Sequence, residues 1–178
     1  MGKITRMSRK DSVAFLKQLM QHKQQLRVKK DLQPGKLIFC GYDAKHKEFV
    51  WDKKPMFLVL STSKGRTLGL NFHWLPSTYR VWLITHIIRQ NKKRKNPNLM
   101  AFTYGELKPL LRKLNYAPCI RCYINRRYTR TGVVIPPEHF MEAARMDTAV
   151  FSGLSAEYIY KTIVKKSKTR KYYNFRNP

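Results

Sequence analysis

The alternation of apolar and polar positions divides the chain into a helical start, a strand-rich centre and a mixed second half. Between Asp11 and Val28, Val13, Leu16, Leu19, Met20 and Leu26 recur near helical spacing, with Lys17, Gln18, Gln21, Gln24, Gln25 and Arg27 on the other side. This pattern predicts an amphipathic helix that Ser8 or Asp11 can cap, ended by the break at Pro34-Gly35. From Lys36 to Leu75 the period shortens. Leu37–Cys40, Phe49–Trp51 and Met56–Leu60 are apolar runs, Asp43–His46 reads as a turn, and Ser61–Gly65 has hairpin chemistry before the alternating stretch Thr67–Trp74. Four short strands so closely spaced predict a small antiparallel sheet, SH3-like or a half-barrel.

Helical spacing returns over Pro76–Gln90, where Val81, Ile84, Ile87 and Ile88 form an apolar stripe. A basic loop follows, ending in Asn96-Pro97. Thr103 with Glu106 three residues on forms a capping box for a short helix to Leu114. Tyr116–Tyr128 reads equally as helix or strand. Val133–Ile135 predicts a strand, Pro136-Pro137-Glu138 opens a helix running to about Arg145, and Tyr158–Val164 is a last apolar-aromatic element. The expected fold is α+β: a small antiparallel sheet with flanking helices and a basic C-terminal tail. Its expected organisation is an N-terminal basic amphipathic helix (1–34), a core α+β domain (35–164) and a basic aromatic tail (165–178) ordered on a partner.

Charge changes this picture most. The 178 residues carry 37 Lys and Arg against 10 Asp and Glu, a formal net charge of +27. Self-repulsion on that scale opposes a compact state, so an external polyanion is expected to neutralise it. Hydrophobic residues make up 43% and aromatics 12%, too many for a disordered basic tail. The cations also fall in acid-free blocks: five in residues 89–95, seven in 107–137 and seven in the last eighteen residues. The candidate nucleic-acid contacts are therefore Arg89, Lys92, Lys93, Arg94 and Lys95, then Arg121, Arg126, Arg127 and Arg130, then Lys165, Lys166, Lys168, Arg170 and Lys171. Cations dispersed in this way bind phosphates without reading bases, and charge alone does not choose between DNA and RNA. Rings are interleaved with two of the blocks, as Tyr123, Tyr128, Tyr172, Tyr173 and Phe175. They can stack on unpaired bases, or pack on the domain beneath a solvated basic face.

Other chemistry is thinly represented. Metal-dependent cleavage of phosphodiesters needs clustered carboxylates. Asp43, Glu48 and Asp52 share one predicted hairpin, and Glu138 and Glu142 one helix face, yet each also suits a turn or a helix start. Cys119-x-x-Cys122 has no second ligand pair, so no metal and no cofactor is expected. Three cysteines suit free thiols in a reducing compartment. The start of the chain has no signal-peptide pattern, and no apolar run approaches the roughly 18 residues of a membrane span.

The central stretch, residues 35–84, resembles T4-type tailed-phage DNA end protectors. The resemblance rests on Tyr42-Asp43-Ala44-Lys45, on Trp51-Asp52-Lys53-Lys54-Pro55, on Gly69-Leu70-Asn71-Phe72-His73-Trp74-Leu75-Pro76 and on Arg80, and it departs at Phe72 and Trp74. It implies a virion protein, present in the host cytoplasm during assembly, that binds the ends of packaged DNA. The expected function is thus non-enzymatic, sequence-tolerant DNA binding that holds or protects a genome end. The partners would be DNA, most simply double-stranded, together with portal or neck proteins, and no membrane. A structural portal or neck connector with a basic surface is the alternative, and a metal-dependent nuclease a weaker one. Within the Gly69–Pro76 block, Asn71 and His73 either face outward as contacts or hydrogen-bond neighbouring turns while Leu70, Phe72 and Trp74 enter the core.

Overall fold

The computed structural model describes residues 6–44, 52–95, 102–113, 116–152, 154–155 and 157–162. The expected strand Phe49–Trp51 and the basic tail lie outside them. The elements are α1 (Arg9–Gln21), β1 (Gln24–Gln25), α2 (Val28–Asp31), β2 (Leu37–Tyr42), β3 (Met56–Ser63), β4 (Arg66–Asn71), α3 (Ser77–Lys93), α4 (Tyr104–Lys113), β5 (Ile120–Ile124), β6 (Tyr128–Ile135), α5 (Phe140–Arg145) and α6 (Ala149–Ser152). A last helical segment covers residues 157–162. The fold is α+β, with an antiparallel six-stranded sheet in the order β1-β6-β2-β3-β4-β5. The sheet is not closed into a barrel.

The N-terminal helix is shorter than its sequence pattern. Ser8 caps it, its Oγ accepting from the Asp11 N–H at 3.1 Å. Ser12, Phe15 and Leu19 form its buried stripe, whereas Val13 and Met20 are exposed. The chain then turns at His22 so that Gln24 and Gln25 pair with Thr131 and Gly132 of β6, which brings part of the predicted helix into the sheet. The helix predicted over Pro76–Gln90 instead continues through Lys93, taking the start of the expected basic loop into the last turn of α3, while Asn96-Pro97 lie outside the described residues. Cations there face the partial negative charge of the helix C-terminus. The capping box forms as expected. Glu106 Oε2 accepts from the Thr103 N–H at 2.8 Å, and Thr103 Oγ1 accepts from the Glu106 N–H at 3.3 Å.

Tyr116–Tyr128, ambiguous by its pattern, becomes a 3-10 turn, strand β5, and a second 3-10 turn over Asn125–Arg127. β6 begins five residues before the predicted strand at Val133. Its early half hides from a hydrophobicity reading because it is Tyr-Thr-Arg-Thr-Gly. Gly132 is needed there, since a Cβ would lie 2.6 Å from Leu26 Cδ1 and 2.7 Å from Cys40 Cβ.

The two sheet faces carry unequal cores. The larger one joins Leu37, Phe39, Met56, Leu58, Leu70, Val133 and Ile135 to α1, α3, α4 and α5. The smaller one gathers Ile38, Cys40, Phe57, Val59 and Tyr123, with Tyr42 and Tyr128 packed against it. β5 leaves the edge of the sheet at Ile124, opposite Arg66, and after three intervening residues β6 starts at Tyr128, opposite Tyr42 on β2. So short a crossing requires a strongly curled sheet. Aromatic contacts fill the curl: Phe57 stacks on Tyr123 at 4.4 Å, Tyr42 meets Tyr123 edge-on at 5.1 Å, and the Ile124 N–H donates to the Tyr42 hydroxyl at 3.0 Å.

Candidate nucleic-acid interface

The structure places most of the described candidate cations at two locations. Arg89, Lys92, Lys93, Arg94 and Lys95 are exposed at the C-terminal end of α3. Arg94 pairs with Glu106 and lies over the Phe102 ring at 5.9 Å, so one of the five is committed to joining α3 to α4. Hydrogen bonds from the Thr103 backbone and from the Arg94 side chain hold the Glu106 carboxyl below its ordinary range.

The second location is the β5–β6 crossing. Arg126 is exposed on the 3-10 turn, while Arg127 Nη1 reaches both the Asp43 carboxylate and the Asp43 carbonyl at 3.2 Å. The Asn125 N–H donates to the Gly65 carbonyl at 2.9 Å, which brings the β3–β4 hairpin turn alongside. Exposed Lys64 and Arg66 thereby join Arg126 at one end of the sheet. Neither was legible as part of this cluster, because a hairpin and a crossing turn about sixty residues apart in sequence meet only once the sheet curls. Arg121, in the same sequence block as Arg126, stands apart: its guanidinium covers the Trp74 ring at 4.6 Å. Arg130 lies on β6. Lys165, Lys166, Lys168, Arg170 and Lys171 fall outside the described residues.

Tyr123 is only 4% exposed and stacked within the smaller core, so its ring serves packing and is closed to bases. Tyr128 packs in the same aromatic group, at 5.3 Å from Tyr42. The Gly69–Pro76 block is likewise internal. The strand ends at Asn71, and Phe72–Trp74 form a 3-10 turn that puts Phe72, His73 and Trp74 all in the interior. Asn71 and His73 bond neighbouring segments. Asn71 Nδ2 donates to Asp52 Oδ2 at 2.8 Å, and the His73 N–H donates to Asn71 Oδ1 at 2.8 Å. His73 Nδ1 lies 3.0 Å from Asp52 Oδ1, and its Nε2 lies 3.2 Å from the Thr148 carbonyl. Buried Arg80 donates to the Met146 carbonyl at 2.6 Å. The residues of the resemblance thus fasten β4 and α3 to the segment joining α5 and α6.

These bonds also assign two of the candidate acids, and Glu48 lies outside the described residues. Asp43 serves Arg127, and Asp52 serves Asn71 and His73. Among the described residues no three His, Cys, Asp or Glu side chains gather where a cation would sit. Cys119 is buried, its thiol pushed up by desolvation and donating to the Trp74 carbonyl at 3.8 Å, whereas Cys122 is exposed. The two thiols are therefore in different environments.

A family model described as phage T4 terminal DNA protecting protein matches residues 3–167, most of the chain. No curated protein and no solved structure matches.

Proposed function

The chain belongs to the phage T4 terminal DNA protecting protein family, and from that premise we propose that it protects by binding duplex DNA directly and occupying its terminus, without cleaving it. The carrying observation is the meeting of Lys64, Arg66, Arg126 and Arg127 at one end of the curled sheet, with Asp43 the acid paired among them. Arginine and lysine in that arrangement suit phosphate oxygens of any sequence. Non-enzymatic action is supported by the commitment of Asp43 and Asp52 to internal partners, since carboxylates tied in this way are poor ligands for a hydrolytic cation pair. The place of action is the virion, on the end of packaged DNA, beside portal or neck proteins.

Digestion of a linear duplex by a processive duplex-end exonuclease tests this reading. Saturating protein should leave the duplex at full length, and the protein with magnesium alone should leave it intact. Digestion at the unprotected rate, or cleavage by the protein itself, contradicts it.

A further inference from the structure

We propose that DNA phosphates are held in a second basic depression, a groove walled by Lys23, Lys53 and Lys54, which runs into the Arg126–Arg127 turn. The groove encloses about 300 Å³, and among the described residues its lining contains no acid. It shares Thr129 with the depression formed by Asp43, Arg126, Arg127 and Tyr128. The proposal rests on the reading of the chain as a direct DNA binder and names where part of that binding is done.

The groove follows from the pattern of β6. Side chains on the helix-covered face of that strand alternate as Thr129, Thr131, Val133 and Ile135, changing from polar to apolar along it. Val133 and Ile135 lie in the larger core. Helix α1 ends at Gln21, so beyond Met20 and Lys23 the threonine half of the face is left as an open floor. Opposite it, β2 changes register against β6 between Cys40 and Tyr42. This irregularity falls at Gly41, where a Cβ would lie 2.5 Å from Thr129 Oγ1. Bulges of this kind recur where a strand must redirect its neighbours at a site.

The lysine wall is held in place by backbone. The Tyr42 N–H donates to the Lys53 carbonyl at 2.9 Å and the Cys40 N–H to the Pro55 carbonyl at 3.2 Å, one bond on each side of Lys54. Both Lys53 and Lys54 are exposed, as is Lys23 from the far wall. Three lysines lining one groove make a seat of positive charge to which an anion is attracted. A phosphodiester backbone suits the site because successive phosphates can engage the groove and the Arg126–Arg127 turn together. These lysines lie in sequence stretches of mixed charge, so only the fold sets them beside the arginines.

The test uses the full chain and a blunt linear duplex, with a single strand of equal length as a second probe. A Lys23→Gln, Lys53→Gln, Lys54→Gln variant is compared with Arg9→Gln, Lys10→Gln, Lys17→Gln, which removes the same charge from the exposed surface of α1 away from the groove. Three lost phosphate contacts should make the slope of log affinity against log salt shallower by about 2.7 and lower duplex affinity on the order of a hundredfold at about 0.1 M salt. The control variant should change the slope by less than about 1. In the unmodified protein, bound duplex should slow chemical acetylation of Lys23 and Lys54 and leave that of Lys17 unchanged, a readout independent of any effect of the substitutions on folding. Equal slopes for the two variants, together with no protection of Lys23 and Lys54, would overturn the groove while leaving direct DNA binding intact. A loss seen only with the single strand would overturn its assignment to duplex. Failure of the unmodified protein to bind either probe would instead overturn the functional reading on which the groove rests.

Discussion

Raising salt from about 50 to about 200 mM should weaken binding of the protein to linear duplex DNA by about a thousandfold. Each neutralised phosphate contributes about −0.9 to the slope of log affinity against log salt, so six contacts give a slope steeper than about −5. At least that many cations are exposed at the sheet end and at the end of α3: Lys64, Arg66, Arg126, Arg89, Lys92 and Lys93. Isothermal binding or gel-shift titrations over that salt range measure the slope. A value near −1 would mean that the net charge of +27 is neutralised by something other than a DNA backbone.

Trp74→Ala should cost roughly 3–5 kcal/mol of stability. For a chain of this size, that corresponds to a fall in melting temperature of roughly 6–20 °C. The Trp74 ring is 3% exposed, lies in the larger core and carries the Arg121 guanidinium above it, while its carbonyl accepts from the Cys119 thiol. Truncation leaves a cavity at the junction of β4 and α3 and strips Arg121 of its aromatic support. Thermal unfolding measures the loss. The salt slope of the variant, taken well below its melting temperature, should match the unmodified protein. A fully stable variant that had lost DNA binding would place Trp74 on the contact surface and contradict the packing described here.

The antiparallel sheet, the capping box at Thr103 and the helix beginning after Pro76 were legible because each is written in local pattern: apolar runs between turns, a Thr and Glu three apart, a proline at a helix start. The first half of β6 was not, because its Thr129, Arg130 and Thr131 form no apolar run; they become strand only by pairing with β1 and β2. The buried stripe of α1 departs from the apolar pattern for a related reason. Val13 and Met20 fit a helical period, but Ser12 is drawn inside because its Oγ accepts from the Asp147 N–H at 2.9 Å, a contact 135 residues distant. Charge showed that a polyanion is the natural partner and could not show where it sits. The dense Arg121–Arg130 block is divided by the fold, with Arg121 on Trp74 and Arg126 at the crossing, while Lys53 and Lys54 acquire cationic neighbours from elsewhere in the chain.

The central claim is that the protein occupies DNA ends by direct contact, and competition between linear and circular duplexes of equal length and sequence tests it most directly. With labelled linear duplex bound at fixed salt, unlabelled linear duplex should displace the protein at a much lower concentration than the circular form. Introducing one double-strand break into the circle should restore full competition. Equal competition by the intact circle and the linear duplex would show a general DNA coat with no preference for termini, and would contradict the account.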